Sequence, residues 1–113
     1  MKILCYWVYI LHCDNGSYYT GYTVNLTKRY QAHVTGTSRC KYTRSFKPLG
    51  MAQCWQVRGD KSMAMKMEKF IKQLSKEEKT QFILYPERLA EWFECSPFLF
   101  QYNTMSLNEG TPP

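Results

Sequence analysis

The dipeptide Asn15-Gly16 most constrains what this chain can fold into. Both residues tolerate positive φ, which a type I′ turn needs at its two central positions, and the twist of that turn matches two antiparallel strands. The segment before it, Cys5 to Cys13, is dense in aromatic and β-branched side chains, and Tyr18 to Thr23 after it is similar. This pattern predicts a hairpin. Side chains alternate along a strand, so Tyr6, Val8, Ile10 and His12 are expected on one face and Trp7, Tyr9, Leu11 and Cys13 on the other. Tyr9 and Tyr19 then lie near each other across the pair.

After the hairpin the apolar period lengthens. Asn25 suits an N-cap, and Leu26, Tyr30, His33 and Val34 recur at helical spacing, which predicts a helix from about Leu26 to Thr35 that Gly36 can end. Arg29 and His33 stand four residues apart and therefore share one face, at the border of the apolar stripe. Leu49 to Val57 has strand character, with Pro48 as its entry residue. Arg58-Gly59-Asp60 turns the chain into a helix with Met63, Met67, Phe70, Ile71 and Leu74 on one stripe and Glu68 on its edge. Met63, Met65 and Met67 read as core packing. Ser75-Lys76-Glu77-Glu78 is a capping box that opens another short helix, and Pro86 to Phe93 reads as a short helix with proline in its first turn. Ser96 to Phe100 is an apolar closing segment. The expected fold class is α/β: a small three-stranded antiparallel sheet flanked by helices in the order β-β-α-β-α-α. Residues 1–85 form the domain, 86–102 extend it, and 103–113 read as a disordered tail.

Fifteen Lys and Arg residues against nine Asp and Glu, for a formal +6 in 113 residues, favour a polyanionic partner. The cations Lys28, Arg29, Arg39, Lys41, Arg44 and Lys47 are interleaved with Tyr30, His33, Tyr42 and Phe46, which mixes phosphate-binding groups with rings that stack on bases. Five cysteines in no CxxC spacing argue against a disulfide scaffold. Cys13, His33, Cys40 and Cys54 lack the paired short spacings of a structural zinc module. Free thiols fit the reducing cytoplasm, and no apolar run approaches the ~20 residues of a membrane span.

The hairpin with Val8-Tyr9, Tyr19-Thr20-Gly21, and the Arg29 and His33 pair on the next helix together resemble the GIY-YIG nuclease superfamily. The segment from Trp7 to about Glu78 resembles its small single-domain bacterial members, including the Lys41-Tyr42-Thr43-Arg44 loop and the helix carrying Glu68 and Ile71-Lys72-Gln73-Leu74-Ser75. Trp7 stands where the superfamily name has glycine, and the asparagine that many larger members carry after the metal-binding glutamate has no counterpart between Lys69 and Tyr85. Tyr22 occupies a position where some members carry a lysine, for which Lys41 is the candidate substitute.

What the resemblance implies is a metal-dependent endonuclease that hydrolyses DNA phosphodiester bonds by a one-metal mechanism, in the manner of DNA-repair chemistry. Tyr9 acts as, or orients, the general base; His33 assists; Arg29 clamps the scissile phosphate; Tyr19 hydrogen-bonds the phosphate or water; and Glu68 holds Mg²⁺ or Mn²⁺. Lys28, Arg39, Lys41, Tyr42, Arg44 and Lys47 are the expected nucleic-acid contacts. On the bare sequence the default reading of Glu68 is a solvated i,i+4 ion pair with Lys72, which the resemblance overturns. With no attached helix-turn-helix or zinc finger, branched DNA or strand ends are the expected targets. Two alternatives stay open: a DNA-binding or accessory protein on the same fold without turnover, and a small RNA-binding module.

Overall fold

In the computed structural model, which describes residues 5–36 and 46–100, strands β1 (Tyr6–Cys13) and β2 (Tyr18–Thr23) form the expected antiparallel hairpin. Its turn differs from the type I′ prediction. Gly16 has φ +82°, and no residue other than glycine has positive φ among the described residues, so Asn15 does not take the left-handed conformation. The loop is instead the three residues Asp14–Gly16, closed by Gly16 N–H donating to the Cys13 carbonyl and Cys13 N–H to that of Ser17. A type I turn followed by a left-handed glycine gives this pattern. Asn15 contributes through its side chain, whose Oδ1 accepts from the backbone N–H and the hydroxyl of Ser17.

Helix α1 (Leu26–Thr35) has the predicted caps: Asn25 accepts from the Lys28 N–H, and Gly36 closes the last turn at φ +69°. Strand β3 (Pro48–Val57) pairs antiparallel with β1, with register irregularities after Ile10 and His12. Helix α2 (Lys61–Lys72) is capped by Asp60, and α3 (Lys76–Leu84) begins at the expected Ser75–Glu78 capping box. A 3₁₀ helix over Pro86–Glu91 leads to β4 (Cys95–Phe98). The apolar closing segment thus adds a fourth strand to the three expected, in the order β2-β1-β3-β4. Trp55 stabilises this return by donating from its indole to the Pro86 carbonyl.

Alternation along β1 divides the core as predicted. Val8 and Ile10 pack with Trp55, Val57 and α2 residues Ala64, Met67 and Ile71 on one face, whereas Tyr9, Leu11 and Cys54 pack with α1 residues Leu26 and Tyr30 on the other. Helices therefore cover both faces of the sheet, and β2 is left as one of its edges. Two expected core residues point outward. Val34 lies roughly 80° round the helix from Leu26 and is 45% exposed. Met65, 48% exposed, lies nearly opposite buried Met67 on α2. No helix among the described residues is long and apolar enough to cross a membrane. The tail expected over 103–113, together with Arg39, Cys40, Lys41, Tyr42 and Arg44, lies outside the described residues.

Candidate active site

The site is built around a buried phenol. Tyr9 is 1% exposed and points to the α1 side of the sheet. Its cross-strand partner is Gly21, where an added Cβ would fall 2.5 Å from the phenol oxygen and 2.8 Å from Cζ. Any larger residue must push the ring or the edge strand aside. Gly21→Ala is accordingly expected to lower stability by about 1–3 kcal/mol, measured by urea unfolding. An unchanged midpoint would mean that the phenol has room to move.

Arg29 and His33 reach this phenol from α1. His33 Nε2 lies 2.8 Å from the Tyr9 oxygen, and Arg29 Nε donates to the same oxygen at 3.4 Å. A guanidinium can only donate, so the phenol oxygen accepts from Arg29; the direction of its bond to Nε2 follows the imidazole tautomer, the phenol donating when the ring proton is on Nδ1. Tyr19 completes the cluster, its ring 4.9 Å from that of His33 and 6.4 Å from that of Tyr9.

His33 is fully buried and not at the boundary of the core. Burial, reinforced by the charge of Arg29, pushes its pKa down to about 4, so the ring is neutral at physiological pH. In the unfolded chain it binds a proton near pH 6.5. Between these values the unfolded state holds more protons than the folded one, so stability falls as pH drops from 6.5 toward 4. Wild-type protein is expected to lose about 3 kcal/mol through this group over that window. Urea unfolding of wild type and His33→Gln at a series of pH values checks it, because the variant lacks the titration. Parallel curves for the two proteins would refute the assignment.

A cleft of about 410 Å³ opens beside this cluster, lined by Tyr19, Gly21, Tyr22, Arg29, Lys61 and Glu68, among others. It lies across the β2 edge, where α1 on one face of the sheet and α2 on the other can both reach it. Tyr9 and His33 do not line it; Arg29 joins them to it. Glu68 enters from α2 with its side chain 19% exposed, and pairs with Lys72 at 3.5 Å. That is the i,i+4 contact expected from the bare sequence. The described residues contain no group of three or more His, Cys, Asp or Glu side chains placed to hold a metal ion. A single carboxylate nevertheless suits a magnesium ion, which keeps most of its water and takes one or two carboxylates. The 3.5 Å contact uses one Glu68 oxygen and a half-exposed Lys72, which leaves Glu68 with a further oxygen for the ion.

The structure thus brings Tyr9, Tyr19, Arg29 and His33 together and sets Glu68 across the cleft from them. Lys28 and Lys47 are exposed and do not line the cleft. Lys61 was missed from the sequence. It is the first residue of α2 and lines the cleft beside Tyr22, supplying a cation there. The available signal was a lysine at a helix N-terminus, where the helix dipole disfavours positive charge.

A mixed α/β domain with a tyrosine-histidine-arginine cluster behind a cleft that holds one carboxylate is a domain of the GIY-YIG type. The family described as the GIY-YIG catalytic domain matches residues 5–81, and the chain belongs to this nuclease-like family. It is 42% identical over 84 residues to a UPF0213 protein of Syntrophus aciditrophicus (strain SB), covering 74% of this chain and 95% of that one. It is 38% identical over 78 residues to UPF0213 protein BH0048 of Halalkalibacterium halodurans, covering 69% of this chain and 81% of the relative. The solution NMR structure of UPF0213 protein BH0048 from Bacillus halodurans aligns with a TM-score of 0.47 at 36% identity, over 73% of this chain and 85% of that one.

Proposed function

We propose that this protein is a metal-dependent endonuclease that hydrolyses DNA phosphodiester bonds by a one-metal mechanism, directed by substrate structure rather than sequence. The observation that carries this reading is Arg29, which lines the cleft with Tyr19 and Glu68 and also donates to the buried Tyr9 oxygen. Its planar fork suits a phosphate, and it couples the bound phosphate to the phenol. With the ring proton on Nδ1, neutral His33 accepts the phenol hydrogen at Nε2. The phenol lone pairs then face Arg29 and an attacking water: as the water oxygen bonds to phosphorus its proton passes to the Tyr9 oxygen, the phenol's own proton moves to His33 Nε2, and the departing 3′ oxygen takes a proton from solvent. Tyr19 hydrogen-bonds the phosphate. Mg²⁺ or Mn²⁺ held by Glu68 would supply positive charge at the leaving 3′ oxygen. Five cysteines in no CxxC spacing support a reducing, cytoplasmic setting for this reading.

The test is cleavage of labelled single-stranded, duplex and branched DNA and of RNA by purified protein, with Mg²⁺, with Mn²⁺ or with a chelator. Metal-dependent DNA products ending in 3′-hydroxyls are expected, most of them on branched DNA or strand ends. One observation favours a second reading, a binding protein without turnover: Tyr9 is buried and does not line the cleft. Tight, salt-sensitive binding without product on any substrate would establish that reading instead.

A further inference from the structure

Resting on the nucleic-acid reading of the cleft, we propose that the exposed face of α2 is a second binding surface, on which Lys61, Lys66, Lys69 and Lys72 hold the sugar-phosphate backbone of the DNA strand leaving the cleft. These lysines, with Met65 and Glu68, line a second concavity of about 770 Å³. Lys61 and Glu68 line the catalytic cleft as well, so the two depressions join along one helix. From Lys61 to Lys72 the path is about 16 Å long.

The charge on this face is predominantly positive. Four lysines face one glutamate on α2, whereas α3 begins Lys76-Glu77-Glu78-Lys79, the mixed pattern of a solvated helix. The helix dipole favours Lys69 and Lys72 in the last turn and Glu68 pairs with Lys72, but helix stability does not account for Lys61 and Lys66. The first turn of α2 has no acidic residue and starts with Lys61, against the helix dipole, although the Asp60 cap offsets part of this. Lys66 and Lys69, and Lys69 and Lys72, are like charges three residues apart, which also weakens a helix. A bound polyanion relieves all of these repulsions. Met65 lies among the lysines with an exposed thioether, an apolar contact for sugars or bases between the phosphates.

Fluorescence anisotropy with a labelled single-stranded oligodeoxynucleotide, its duplex and the matching RNA, in chelator and over a range of salt, tests this surface. Lys66→Gln/Lys69→Gln alters exposed residues outside the catalytic cleft; Arg58→Gln/Arg88→Gln removes the same charge from exposed positions elsewhere. The α2 pair is expected to reduce the slope of log affinity against log salt by about 1.4 on single strands and about 1.8 on duplex. The control pair should leave both slopes unchanged. The same loss on DNA and RNA identifies the backbone as the recognised group; a loss on RNA alone overturns the assignment to DNA. Equal effects from the two pairs, or none from the α2 pair, overturn the surface. A protein that never cuts yet shows the slope change refutes the nuclease reading alone. One that cuts DNA while the α2 pair keeps its slope refutes this surface alone.

Discussion

Tyr9→Phe is expected to slow DNA cleavage by roughly 10²–10⁴-fold while leaving the chain folded. The substitution deletes one oxygen and keeps the ring, so the packing against Leu11, Leu26 and Tyr30 survives. What disappears is the junction between the 2.8 Å contact to His33 and the 3.4 Å donation from Arg29. The buried Nε2 of His33 loses that hydrogen-bond partner, at a cost of about 1–3 kcal/mol, which a domain of this size can bear. Single-turnover cleavage measured beside urea unfolding separates the two effects. A rate close to that of wild type, in protein shown to be folded, would remove Tyr9 from the chemistry and leave it as core packing.

Glu68→Gln has the second large expected effect, a loss of roughly 10²–10³-fold in metal-dependent cleavage. The amide preserves size and hydrogen bonding but not the charge that a divalent ion needs. If Glu68 served only to pair with Lys72, cleavage by the folded variant would be nearly unchanged, because that pair touches no reacting atom. Binding of Mn²⁺ followed by electron paramagnetic resonance gives a readout apart from turnover. Wild type should bind the ion and Glu68→Gln should not. Equal binding by both proteins would move the metal site to other residues.

Much of this architecture was legible along the chain because local rules and tertiary packing agree. Asn25 and Gly36 bound α1 as caps, and the Ser75–Glu78 capping box opens α3, since such contacts lie within a few residues of each other. The period of two in β1 assigned Tyr9 and Val8 to opposite faces before any partner was known. Local signals also misled. Asn15-Gly16 marks a turn correctly, but Asn15 bonds Ser17 with its side chain instead of adopting positive φ. The β character of Cys95–Phe98 was too short to read as a strand, and its pairing with β3 depends on the Pro86–Glu91 segment bringing it back.

The residue pattern by itself determined the hairpin, the helix ends and the set of chemically able side chains, because periodicity, capping and turn preferences act over a few residues. It also placed Arg29 and His33 on one helical face. Only the tertiary structure decided that His33 is fully buried with its pKa driven down to about 4, since that shift comes from the surrounding protein and the neighbouring charge. It likewise decided why position 21 is glycine: the Tyr9 ring occupies the space a Cβ would need. The meeting of Arg29, Lys61 and Glu68 at one cleft follows from β2 being an edge strand, so that helices packed on opposite faces of the sheet reach past it to the same place.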